Sequence, residues 1–174
     1  MIKLPVETPT ATLRYALAPD PSGIEAIEAT FAAYDRMMAV LAEVAPVGAN
    51  LVSLHAQAYE RIRKETGLPA RLVTLGLRDR ANYIAGAAVR RIPLDDKLFA
   101  IKGPTSLTIS TVSGRVLVPF DVPGYVSGWE SPFPAHLISD GRGYEIHIAV
   151  KSKSAQPEEK TMLHEGILAR MGRL

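Results

Sequence analysis

The spacing of apolar and polar positions changes period near residue 92, from mostly helical to alternating. One early stretch departs from the helical half. "TATLRYAL" (10–17) puts Leu13, Tyr15 and Leu17 on one face, the pattern of a strand half-buried on a core. "APDPSG" breaks it. "IEAIEATFAAYDRMMAVLAEVA" (24–45) then carries Ile24, Ile27, Phe31, Met38 and Leu41 at helical spacing, with Ser22 placed to cap the start and Pro46 and Gly48 to stop the end. A second helix is expected from about Ser53 to Glu65, closed by Gly67, and a third from Pro69 to about Arg91. On that third helix Val73, Leu77, Ala81, Ile84 and Ala88 gather on the core side. Arg71, Arg78 and Asn82 lie opposite, with Thr74 at the margin, and Gly76 and Gly86 leave room for a close neighbour.

From Ile92 onward strands are expected at 97–102, 105–112, 115–120, 135–140 and 143–151. "TVSGRV" supplies one tight turn and the Asp-Gly-Arg-Gly of "LISDGRGYEIHIAVKSK" another. Between them "DVPGYVSGWESPFP" (121–134) reads as a long irregular loop, because proline and glycine interrupt any period. The expected fold class is α+β: a small oligonucleotide-binding-like β-barrel, closed by the last hairpin, with a three-helix insertion after its first strand. The segments are 1–20 (first strand), 21–92 (helical insertion), 93–152 (remaining strands) and 153–174 (linker and short helix). That last helix would start at Thr161 and carry Leu163, Ile167, Met171 and Leu174 on one stripe.

Composition narrows the function. The chain has 174 residues, of which 47% are hydrophobic and 22% charged, typical of a globular protein. It has no cysteine, which excludes disulfides, iron–sulfur clusters and thiolate zinc sites. The start "MIKLPVETPT" resembles no signal peptide, and no apolar run is long enough to span a bilayer, so a cytoplasmic protein is the expectation. The net charge of +2 is unevenly spread. Residues 61–91 hold eight basic side chains (Arg61, Arg63, Lys64, Arg71, Arg78, Arg80, Arg90, Arg91) against two acidic ones. A block so rich in arginine suits phosphate recognition, and Arg and Asn on one helix face suit base edges as well; a solvated helix surface is the plainer alternative.

Catalytic motifs are scarce. "DGRGYE" sits in a hairpin turn with no following helix or lysine, so it is not a phosphate loop, and "VSGW" lacks the second glycine of a nucleophile elbow. A turn centred on Gly141–Arg142 would set His136 opposite His147, with Glu145 on the same face. Such a trio suits a divalent ion, but ordinary surface histidines are far commoner, and no metal or other cofactor is assigned.

The order of "LRYALAPDPSGIEAIEATFAAYDRMMAVLAEVA", "LHAQAYERIRKETGLPARLVTLGLRDRANYIAGA", "TISTVSGRVLVPF" and "GRGYEIHIAVK" resembles the N-terminal half of the TnpB family. These are transposon-encoded RNA-guided DNA nucleases related to type V CRISPR effectors. The resemblance implies a wedge barrel interrupted by a helical recognition domain. It also implies DNA contacts from Arg71, Thr74 and Arg78 on the third helix, whose face also carries the base-edge candidate Asn82, and from Lys102, Thr105 and Ser106 in "KGPTSLT". Guide RNA would be held by the barrel face with Arg115 and Lys151, and Arg61, Arg63, Lys64, Arg90 and Arg91 of the basic block are further RNA-binding candidates. Where that family continues into a RuvC-like nuclease, this sequence reads "SKSAQPEEKTMLHEGILARMGRL", without a catalytic aspartate strand or a Cys-x-x-Cys element. The expectation is therefore a non-enzymatic chain that binds guide RNA and double-stranded DNA. Three versions stay open: a separate RuvC-like nuclease chain or a second copy docks on it, it acts alone as a nuclease-free repressor, or it is a protein-interaction module that keeps only the scaffold.

Overall fold

The computed structural model of the chain describes residues 10–44, 50–120 and 135–151. Strand β1 (Thr10–Leu17) leads into α1 (Pro21–Val44) through a cap that belongs to Asp20 rather than Ser22. The Asp20 carboxylate accepts from the Gly23 N–H at 2.7 Å and from the Ser22 hydroxyl at 2.8 Å, satisfying donors the first helical turn leaves open. Helix α2 (Leu51–Thr66) is capped by Asn50, whose side chain accepts from the Ser53 N–H at 2.8 Å. It ends at Gly67, whose φ of 67° gives the left-handed turn that glycine adopts without strain.

Helix α3 (Ala70–Asp79) ends far short of Arg91. A single 3₁₀ turn (Arg80–Asn82) follows it, and the chain then becomes extended as β2 (Arg90–Leu94). Ala81, Ile84 and Ala88, expected on a core stripe, are exposed, Ile84 at 71%. Two features further along bar a helix from continuing to Arg91. Gly86 has φ 71°, outside the helical region, and Pro93 biases the residue before it toward extended backbone. Proline is tolerated in β2 because that strand is a sheet edge.

The remaining strands are β3 (Phe99–Ile101), β4 (Ser106–Thr111), β5 (Gly114–Pro119), β6 (Ala135–Ser139) and β7 (Tyr144–Lys151). They form two antiparallel sheets, ordered β1-β7-β6-β2 and β3-β4-β5. The expected closed barrel is not formed. Among the described residues the two sheets meet through one isolated bridge, Leu17 to Phe120, reinforced by the Ala18 N–H donating to the Pro119 carbonyl at 2.8 Å. The final hairpin completes an open four-stranded sheet instead.

Helix α1 lies against β2, β4 and β5 and so serves both sheets. Its Ile27, Phe31, Tyr34, Met37, Met38 and Leu41 join Leu72 and Leu77 of α3 and the inward faces of the strands in one core. Thr30 adds a polar tie, donating to the Ala26 carbonyl at 2.7 Å and accepting from the Val112 N–H at 3.2 Å. No helix among the described residues is long and apolar enough to cross a membrane. The stripe from Leu163 to Leu174 lies outside the described residues.

Candidate nucleic-acid interface

The arginine-rich block does not act as one surface, because folding gives several of its cations partners. Arg61 bridges Glu43 at 2.7 Å and Glu65 at 2.9 Å, and Arg36 joins the same Glu65 at 3.3 Å. Arg63 donates to the Leu68 carbonyl, tying down the α2–α3 turn. Arg71, expected to be free on the face away from the core, is half-buried and ion-paired with Asp95. Arg90 is held by Glu28 through contacts of 2.8 and 3.0 Å, donates to the Ser139 hydroxyl at 3.1 Å, and stacks 4.5 Å from the Phe31 ring centroid. Arg115 donates to the Thr108 hydroxyl at 3.0 Å and the Lys97 carbonyl at 2.7 Å. Those paired with carboxylates have given up much of their capacity to neutralise a phosphate, whereas Arg63 and Arg115 keep their charge but have donors engaged.

The polar candidates divide similarly. The Thr74 hydroxyl donates to the Ala70 carbonyl at 3.2 Å, and Asn82 donates to Asp79 at 3.0 Å. Arg78 stays exposed and shares with Thr74 an open groove that Leu51, Val52 and His55 line from α2. Lys102 and Thr105 are exposed in the β3–β4 connection, and Ser106 is half-buried as the first residue of β4. The Lys151 backbone pairs with Thr10, while its side chain lies outside the described residues.

Cations whose side chains have neither a carboxylate partner nor another hydrogen-bond acceptor, among the described residues, are Arg14, Lys64, Arg78, Arg91, Lys97, Lys102 and Arg142. Two of them are placed by one sheet. Register puts Arg14 opposite His147, His147 opposite His136, and His136 opposite Pro93; one row along, Ala16, Glu145, Ile138 and Arg91 align. Directly opposed residues point to the same face, so Arg14 and Arg91 stand on the face turned away from the α1 core. Both are exposed, and the two histidines between them are half-buried. Burial and the nearby Arg91 guanidinium hold His136 below the usual histidine range, favouring the neutral ring. His147 is 2.7 Å from the Glu145 carboxylate. The expected histidine register is thus observed, but no group of three His, Asp or Glu side chains among the described residues is arranged to hold a metal ion.

No protein family and no curated protein matches this chain. The candidate interface is therefore described by its own geometry. Two parts of it escaped the sequence reading. Arg14 sits in an acidic stretch, although the alternation that turns Leu13, Tyr15 and Leu17 inward already turns Arg14 outward. The other is a cavity of about 210 Å³ at the β2 edge, bounded by α1, the 3₁₀ turn and residues 83–91. Its lining joins positions more than fifty residues apart, which no local pattern reveals.

Glu28 ties the helical layer to the larger sheet. It accepts from Arg90 on β2 and from the Tyr144 hydroxyl on β7. Arg90 first, and Tyr144 second, hold the Glu28 carboxyl below its usual range, while burial and then Glu28 push the Tyr144 phenol up to about 12. The lowered Glu28 value means stability present above the unfolded carboxyl pKa of about 4.3 and lost as pH falls through the folded value. The raised tyrosine value means stability present below an unfolded pKa of about 10 and lost as pH rises through about 12. Glu28 is 42% exposed in its side chain, so its share should be no more than about 1 kcal/mol. Glu28→Gln is expected to shrink the acid-side loss of stability in urea titrations between about pH 5 and pH 3 relative to the parent. An identical acid limb in both proteins would contradict this role.

Proposed function

We propose that this chain is a nucleic-acid-binding subunit of an RNA-guided DNA-targeting system, holding guide RNA and reading a short DNA motif, with cleavage supplied by a separate RuvC-like nuclease chain. The observation that carries the reading is the division of the cations: Arg61, Arg71 and Arg90 are neutralised by carboxylates, whereas Arg14 and Arg91 stay exposed and unpaired across one sheet face. Unpaired surface arginines are what a phosphate backbone requires, since each phosphate neutralised releases condensed counterions. The resemblance of the element order to the TnpB family supports the RNA-guided setting. Two antiparallel sheets meeting at one bridge take the place of the wedge, and α1 to α3 that of the recognition insertion. Arg78, beside Thr74 and an apolar groove, is the DNA-facing residue of this arrangement, with Lys102 and Thr105 as further contacts.

Purified protein with Mg²⁺ or Mn²⁺ is expected to leave linear and supercoiled DNA uncut, and sequencing of co-purified nucleic acid should return one recurrent RNA. Metal-dependent cutting that persists through stringent purification would overturn the non-catalytic assignment. Absence of any enriched RNA would overturn the guide-binding one.

A further inference from the structure

The cavity at the β2 edge has the composition of a site. Phe31, Tyr34 and Tyr83 supply aromatic walls, Asp79 a carboxylate, and Arg91 an exposed cation at the rim. Tyr34 and Tyr83 meet edge to face with centroids 6.2 Å apart, and the Tyr83 hydroxyl donates to Asp35 at 2.8 Å, which fixes the outer ring. Tyr34 differs. It is 2% exposed, and its buried hydroxyl makes no well-formed hydrogen bond, engaging the Asp79 carboxylate only loosely. A buried hydroxyl so loosely held is costly, so on a cavity wall it is open to a better-placed ligand acceptor. The Asp79 carboxylate acts on that phenol both through its charge and as a loose hydrogen-bond acceptor. Asn82 also donates to it, and the two contacts still leave acceptor capacity, since a carboxylate offers about four lone-pair sites.

The volume sets the ligand's size. At about 210 Å³ the cavity falls below the roughly 300–1,000 Å³ of pockets that take drug-sized ligands, nearer one heterocyclic ring system. The walls suit a flat, polar-edged ring, as unstacked RNA bases are taken up on aromatic side chains and read along their Watson–Crick edge. Base identity follows from the polar pair. A carboxylate accepts from two adjacent N–H donors, and a neighbouring hydroxyl donates to an adjacent carbonyl. Guanine presents that series as N2–H, N1–H and O6. Adenine would turn its N1 lone pair toward the carboxylate, and uracil and cytosine each lack the paired donors.

Resting on the nucleic-acid reading above, we infer that this cavity captures one unstacked guanine of the bound RNA, with Asp79 accepting from N1–H and N2–H, the Tyr34 hydroxyl donating to O6, and Arg91 meeting the attached phosphate. The site makes the chain sensitive to a base as well as to charge, and links the helical layer to the sheet face that carries Arg14.

The test is equilibrium binding of GMP, AMP, UMP and inorganic phosphate to the full chain, alongside oligouridylate, which carries phosphates but no guanine. GMP should bind about tenfold or more tighter than AMP, the discrimination expected when one charge-assisted pair is lost. Asp79→Asn should abolish that preference and leave oligouridylate binding unchanged. Ile84→Trp gives a second route at a lining residue that is 71% exposed, where a larger ring should block the mouth without burdening the core. It should remove GMP binding and spare oligouridylate. Equal affinity for GMP and AMP, or GMP binding unchanged in both variants, would overturn the guanine site while the broader reading stands on oligouridylate. GMP binding without any oligonucleotide binding would support the site and overturn the broader reading.

Discussion

Gly76→Val is expected to destabilise the protein by about 3 kcal/mol, the upper range for forcing bulk into a filled core. Gly76 is buried on α3 where that helix meets α1. A β-carbon there would stand 2.6 Å from the Met37 methyl carbon, 3.0 Å from its sulfur and 3.0 Å from the Tyr34 ring. Alanine adds only that carbon. The Met37 side chain can swing aside, and alanine gains about 1 kcal/mol of helix propensity over glycine, so Gly76→Ala should be near neutral. Valine adds two further methyls, which must displace the Tyr34 ring, held in turn by Tyr83. Urea unfolding of the two variants checks the contrast. A valine protein within about 0.5 kcal/mol of the parent would mean that α1 and α3 do not meet at this residue.

How far the sequence disclosed this arrangement depended on how local each cause was. Strand β1 was legible to the residue, since Leu13, Tyr15 and Leu17 alternate and Pro19 and Pro21 bracket its end. The hairpin of β6 and β7 was equally legible, because Asp140 organises its own turn, accepting from the Arg142 N–H at 2.8 Å and the Gly143 N–H at 3.0 Å. Helix α3 was overrun because its apolar spacing continues by chance into Ala81, Ile84 and Ala88. Gly86 and the Ile92–Pro93 pair were the signals against it. Barrel closure rested on a strand count, yet closure is decided by pairing between β1 and β5, which shrinks to Leu17 and Phe120. The site was less legible than the fold. Arg71 finds its partner 24 residues away and Arg90 finds Glu28 at 62, so a charge count along the chain overstated the free cations. Only the Arg61–Glu65 pair, one helical turn apart, was open to a local reading.

The unpaired arginines carry the account, and removing them should have the larger effect on function. Arg14→Ala/Arg91→Ala deletes two exposed charges without a carboxylate partner. Arg36→Ala/Arg61→Ala deletes two that Glu43 and Glu65 already neutralise, so net charge falls equally in both. All four positions are at the surface or its margin, and neither pair should shift the unfolding midpoint greatly. The most direct measurement is the affinity of each protein for single-stranded RNA across a range of salt concentrations. Each lost phosphate contact lowers the slope of log affinity against log salt by about 0.7 for a single strand. Arg14→Ala/Arg91→Ala should therefore flatten the slope by about 1.4 and weaken binding at least tenfold at low salt, while Arg36→Ala/Arg61→Ala keeps the parent slope. Equal losses in the two variants, or a parent protein whose affinity does not depend on salt, would contradict the division between packed and binding cations on which the proposed function rests.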